Sequence, residues 1–271
     1  RAGQVRMEKT GFAIDLGRVT TETTMLCKAE HAGPARITVL QWPHSEFSLS
    51  VQKFHRNAGL LDGGLIVLAL FVLVTAIINR EWMYVLFAAW LVANLRLGAL
   101  SAGWDFQWLE RSIPPEWVAP MRQLTIAAYY TLTYALFWRL FGDDLRHPAH
   151  ARLLKVAQWT CVLIIGYAVV LPFKYFLPPM WLTAVIGVMV LMYLMIHMLV
   201  EKRSKVAMWY GASLGIAVFA NLYEVIAAAL GYKGFIGAVN SVTAALSSSL
   251  MAAFAIAEQM RLEREGRVKA Q

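Results

Sequence analysis

Residues 57–79 read NAGLLDGGLIVLALFVLVTAIIN, a run whose one charged side chain is Asp62. A helix rises about 1.5 Å per residue, so about 20 such residues cross the roughly 30 Å hydrocarbon core of a bilayer. The pattern returns six more times before Glu258. The blocks fall at 58–79, 82–103, 123–141, 156–176, 179–200, 206–231 and 234–258, with short polar joints between them. The expected fold class is all-α membrane: a seven-transmembrane helix bundle whose sequential helices are antiparallel neighbours. Pro178 and Pro179 are expected to open the fifth span, because a first helical turn needs no proline N–H. Pro172 is expected to kink or end the fourth.

Composition points the same way. The apolar share of 59% exceeds the usual content of about 45–50%, and the charged residues, only 15%, gather at the joints. A net charge of +8 raises nucleic acid as a partner. The placement of Lys and Arg argues against it, since they mark helix ends and form no phosphate-binding stripe. One set of ends holds Arg80; Arg139, Arg146, Arg152 and Lys155; Lys202, Arg203 and Lys205; and Arg261, Arg264, Arg267 and Lys269. The opposite joints hold only Arg111, Arg122, Lys174 and Lys233. The richer set is expected to be cytoplasmic. That puts the N-terminus outside and the C-terminus inside, as an odd number of spans requires. Cys27 precedes the spans and Cys161 lies within one, so no disulfide is expected.

Residues 1–56 differ in character. Read from Arg1 they contain no basic-then-apolar leader, yet they look exported. The runs 11–15, 19–28, 35–42 and 46–52 are rich in Thr, Val, Ile and Phe and are split by Gly33-Pro34 and Pro43-His44, the pattern of successive strands. Ile37 and Val39 alternate with Arg36 and Thr38 as a half-wet sheet requires. Four short strands are too few for a core of their own. They are expected to be the C-terminal part of a larger extracytoplasmic β-sandwich, the alternative being a small β-cap on the membrane module. Residues 57–258 form the module, and 259–271 are read as a cytoplasmic exit helix toward an output domain beyond this chain. Helix formers continue there through Leu262, Glu263, Arg264 and Glu265, with Gly266 the one weak point.

No catalytic constellation is recognisable. There is no phosphate-cradling glycine loop, nucleophile elbow or helical pair of metal-binding histidines, so neither metal nor cofactor is expected. His147 and His150 flank Pro148 in a joint and read as solvated; His197 reads as a contact to headgroups or a carbonyl. Met189, Met192, Met195 and Met198 read as packing. Gly211 and Gly215, and the stripe Gly237, Ser241, Ala245, Ser249, Ala253 and Ala257, read as seams for close helix approach, within the bundle or between two copies.

The informative residues are polar ones inside the spans. Asp62, Asn94, Arg96, Asn221, Glu224 and Asn240 all fall in the outer third when residues are counted from the outer ends. A charge in a span costs about 2.5–3.5 kcal/mol on insertion scales, so it usually faces a partner or a wet cavity. Arg96 with Glu224 is the expected pair, with Asp62 as competitor. Two readings stay open: a structural salt bridge, or a ligand pocket open to the outside. Trp104, Trp108 and Trp117 in the joint between the second and third spans read as an interfacial anchor or as a lid.

The run Asn79-Arg80-Glu81-Trp82-Met83-Tyr84, then Gly98, Gly103 and Phe106-Gln107-Trp108-Leu109, and the basic stretch 137–154, are similar to one known family. With a β-rich outer segment and a departing helix, the chain resembles the bacterial seven-transmembrane receptors with diverse intracellular signalling modules (7TMR-DISM). The resemblance covers most of residues 57–262 and carries over no ligand site. It implies a bacterial inner-membrane receptor with a periplasmic N-terminus, an outer carbohydrate-binding-like domain, and an output domain that is a diguanylate cyclase, histidine kinase or phosphatase. The partners it implies are the bilayer, a carbohydrate or small-molecule ligand, and a second copy in a homodimer. A small-molecule transporter or channel is the alternative, disfavoured because seven spans do not halve and no paired broken helices occur. A retinal photoreceptor needs a lysine in the last span, and none lies between Lys233 and Lys269.

Overall fold

The computed structural model describes residues 5–8, 11–17, 22, 24–26, 39–101, 107–108, 111–145, 147–230 and 238–270. Its first regular element is a hairpin of β1 (Val5–Glu8) and β2 (Gly11–Ile14), antiparallel from Val5 opposite Ile14 to Glu8 opposite Gly11. β2 lies where a strand is expected at 11–15. Of the expected strands at 19–28 and 35–42, residues 22, 24–26 and 39–42 are described and carry no strand; the remainder lies outside the described residues. The strand expected at 46–52 is instead helical. Phe47, Leu49 and Val51 satisfy a period of two, but Phe47, Val51, Phe54 and Ala58 also satisfy the helical period. No breaker separates Gln52 from the apolar run, so the longer periodicity wins. The helix α1 (His44–Asn79) therefore begins well before Ala58, with Pro43 extended at its N-cap and Glu46 favourably placed in its first turn. His55 Nε2 sits 4.0 Å from Glu8 Oε2, which brings the hairpin onto the early turns of α1.

Six further helices follow: α2 (Trp82–Ser101), α3 (Pro115–Phe141), α4 (Pro148–Val170), α5 (Phe173–Lys202), α6 (Lys205–Leu230) and α7 (Ala238–Ala270). A two-stranded ribbon of β3 (Gln107–Trp108) and β4 (Arg111–Ser112) lies between α2 and α3. Consecutive helices pack side by side, and α7 returns to touch both α1 and α2. The joints after α1 and α5 are made tight by Arg80 and Arg203, both left-handed at φ 54° and φ 45°. The break between α4 and α5 falls at Leu171-Pro172, before the expected opening at Pro179. Proline pushes the residue ahead of it out of the helical region, and Leu171 is extended accordingly. Pro172 then caps α5, leaving Pro178 and Pro179 inside its second turn.

Among the described residues five helices, α1, α2, α4, α5 and α6, are long and apolar enough to cross a membrane. Leu70, Phe71, Ile77, Val169, Leu182 and Val200 on their flanks are exposed. An apolar solvent is the natural partner of such flanks, because water would charge about 25 cal/mol for each Å² of them. The chain is thus a multi-pass membrane protein. The bundle core gathers Leu65, Phe87, Leu91, Leu136, Phe137, Phe141, Leu194 and Tyr210, contributed by α1, α2, α3, α5 and α6. On α7 the buried positions are Ala245, Ser248, Ser249, Ala252, Ala255, Ile256 and Met260. Of the expected stripe Ala245 and Ser249 are buried and Ala253 half-buried but Ala257 is exposed, while Gly237 and the side chain of Ser241 lie outside the described residues. A step of four overshoots 3.6 residues per turn by about 40°, so such a stripe winds off the contact face. A Cβ on Gly211 would meet Met195 and Leu199, whereas one on Gly215 would meet nothing within 4 Å among the described residues. Met195 and Met198 enter the core, but Met189 faces outward.

Candidate functional site

Asn94 lies on the face of α2 that meets α7, buried to 4% exposure. Its amide donates to Ser249 Oγ at 3.0 Å and to the Ala245 carbonyl at 3.4 Å. Ser248 Oγ donates to the same carbonyl at 3.0 Å. One turn earlier on α2, Trp90 Nε1 donates to Thr133 Oγ1 at 2.9 Å, and Tyr210 OH donates to the Thr133 carbonyl at 3.1 Å. Stacking of Trp90 on Phe87 and Tyr129 fills the space between these bonds. One face of α2 therefore bonds α3 through Trp90 and α7 through Asn94, and α3 in turn bonds α6 at Thr133, all by neutral hydrogen bonds that are buried or part-buried. Such bonds are directional, so they fix the rotation of α7 as well as its position.

Of the expected pocket residues other than Asn94, the side chains of Arg96, Asp62 and Asn221 are described. Arg96 is buried on α2 at 3% exposure, but two residues subtend about 200° on a helix, so it points to the other side. Asp62 on α1 is half-buried, its Oδ1 shielded and without a hydrogen-bond partner among the described residues. Asn221 is exposed and donates to Ala217 of its own helix at 2.8 Å. The side chains of Glu224 and Asn240, and with them the expected Arg96–Glu224 pair, lie outside the described residues, as do Trp104 and the ring of Trp108. Trp117, in the first turn of α3, is 57% exposed. Ser248, Ser249, Thr133, Trp90 and Tyr210 were not foreseen as one network.

At the basic end, α7 continues unbroken through Gly266 to Ala270. Arg261 bonds Glu258 at 2.8 Å and Glu265 at 3.0 Å, and Gln259 donates to Glu263 at 3.0 Å. The hydrogen bonds that Arg261 donates to Glu258, then the attraction of Glu258 and Glu265, push its guanidinium further up from an already high pKa. Arg264 Nη2 reaches across to Asn79 Oδ1, the last residue of α1, at 2.9 Å.

Two histidine expectations change. His197 pairs with Glu201 at 2.7 Å and lies 4.3 Å, ring to ring, from His150, which opens α4 with His147 as its N-cap. No group of His, Cys, Asp and Glu able to hold a metal occurs among the described residues. Cys161 is a buried free thiol.

Residues 57–259 match the family described as 7TM diverse intracellular signalling. No curated protein and no solved structure matches the chain.

Proposed function

The chain belongs to the 7TM diverse intracellular signalling family, and from that membership we propose that it is the sensory membrane module of a receptor. A carbohydrate or small molecule, bound outside or within the outer half of the seven-span bundle, shifts α7. That helix passes the shift to a cytoplasmic output domain, a diguanylate cyclase, histidine kinase or phosphatase. The protein works in this reading as a homodimer in a bacterial inner membrane, N-terminus periplasmic and C-terminus cytoplasmic.

The observation that carries the reading is α7 itself. It is one helix of 33 residues, held by Asn94 in the bundle and by Asn79 at the basic end. A rigid element with two breakable latches is what a transmitted rotation or slide requires. The magnitudes allow it. Interhelical hydrogen bonds in membranes average about 0.6 kcal/mol and reach about 1.7, and the exposed Arg264 contact is worth less than about 1. Releasing both lies within the roughly 1–3 kcal/mol over which ligands couple distant sites.

A Gly-Pro insertion after Glu263 in the full-length protein tests the reading. It leaves the Asn94 latch in place, displaces Arg264 from Asn79 and unlinks α7 from the output domain. Signal-dependent output is expected to vanish while membrane insertion persists. Output that still tracks the signal would remove α7 as the transmitter.

A further inference from the structure

Between the last turn of α3 and the first turns of α4, at the basic end of the bundle, lies a groove of about 380 Å³. Leu145, Ala151 and Leu154 line it with apolar surface, and Leu145 and Leu154 are each only 1% exposed. Arg139 and Asp143 bring one charge of each sign to the same groove, both side chains exposed. Lys155, four residues after Ala151 and exposed, stands on the same flank of α4. The ring of Trp138 lies 3.4 Å from where a Cβ on Gly142 would stand, so no side chain separates the indole from the groove wall. Trp138 is half exposed, and Trp82, which opens α2 toward the same end of the bundle, is 74% exposed. Indoles settle at headgroup level, which sets the depth of the groove.

An inorganic anion would use Arg139 and be repelled by Asp143, and an acyl chain alone would use neither. A lipid head carrying both charges uses both. We propose that this groove binds a phospholipid with a phosphoethanolamine head. The phosphate accepts from the Arg139 guanidinium, a planar fork suited to two oxygens. The primary ammonium donates to the Asp143 carboxylate, whose two oxygens offer about four acceptor sites and so can serve a second donor as well. The glycerol end lies along Ala151 and the indole, above the buried Leu145 and Leu154. Phosphatidylcholine offers the same two charges but no N–H donor; phosphatidylglycerol offers no cation.

Native mass spectrometry of the detergent-purified chain tests this, with phosphatidylethanolamine, phosphatidylcholine and phosphatidylglycerol of identical acyl chains added in turn. The ethanolamine lipid is expected to be retained about tenfold more than the choline lipid, the scale of one charge-assisted hydrogen bond. Asp143→Asn should abolish that preference, and Arg139→Gln should lower retention of all three. Soluble glycerophosphoethanolamine should not displace the lipid. Should Asp143→Asn disturb folding, mono- and dimethylated ethanolamine lipids on the unaltered chain read the same contact, retention falling stepwise as N–H donors are lost. Equal retention of ethanolamine and choline lipids, or a preference that survives Asp143→Asn, overturns the proposal. Displacement by the soluble head overturns it too, and assigns the groove to a water-soluble phosphoethanolamine.

Discussion

Asn94 donates two hydrogen bonds to α7 where water does not reach, and a leucine there would keep the volume and remove both. The expected loss for Asn94→Leu is about 1–2 kcal/mol, read as a lower melting temperature of the purified protein. Ser249→Ala removes one of the same bonds from the other side. The double variant should therefore lose about 0.6–1.7 kcal/mol less than the two single losses together. Strict additivity would mean that the pair is not coupled. A buried amide in a greasy helix announces itself in the sequence, because its cost demands a partner. Ser248 and Ser249 do not, since a hydroxyl can turn back on its own helix at almost no cost, as Ser248 does toward Ala245. Half of the latch between α2 and α7 was thus legible in advance and half was not. Arg264 was read only for its charge, because its partner Asn79 lies 185 residues away.

Helices α3, α4 and α5 pack closely where Gly187 meets Tyr130 and Thr160. Tyr130 OH and Thr160 Oγ1 are 2.9 Å apart, and a Cβ on Gly187 would stand 1.5 Å from that tyrosine oxygen. Gly187→Ala should therefore push α5 off α3, at a cost of about 1–3 kcal/mol. Tyr130→Phe removes the colliding atom, so Gly187→Ala with Tyr130→Phe should melt above Gly187→Ala alone. If the double variant is no better, the collision is not where the geometry puts it. The existence of each helix was readable from block length and hydropathy, but the ends were not. Proline sets both boundaries in question: Pro43 launches α1 long before the apolar run, and Pro172 ends α4 as expected but also opens α5, ahead of Pro178 and Pro179. Residues 46–52 misled for a related reason, since alternation over seven residues is also compatible with one face of a helix.

For the molecule as a whole, the open quantity is the number of crossings, and it rests on α3 and α7. Neither is among the five helices whose hydropathy alone suffices. Their polar side chains nonetheless find partners inside the bundle: Tyr130 bonds Thr160, Tyr134 donates to Leu154, and Ser249 receives Asn94. A polar group already bonded to a neighbouring helix costs far less in lipid than one left bare. Both helices are therefore expected to cross, and three labels separate the cases. In a background lacking Cys27 and Cys161, single cysteines replace exposed Ser48, Asp143 and Val268. A membrane-impermeant maleimide is then applied to right-side-out and inverted vesicles. With seven crossings, Ser48→Cys labels on the outer face and both Asp143→Cys and Val268→Cys on the inner. If α3 stays out of the bilayer, the Asp143 position moves to the face of Ser48. If α7 alone fails to cross, Val268 does so, and with it falls any route from the bundle to a cytoplasmic output domain.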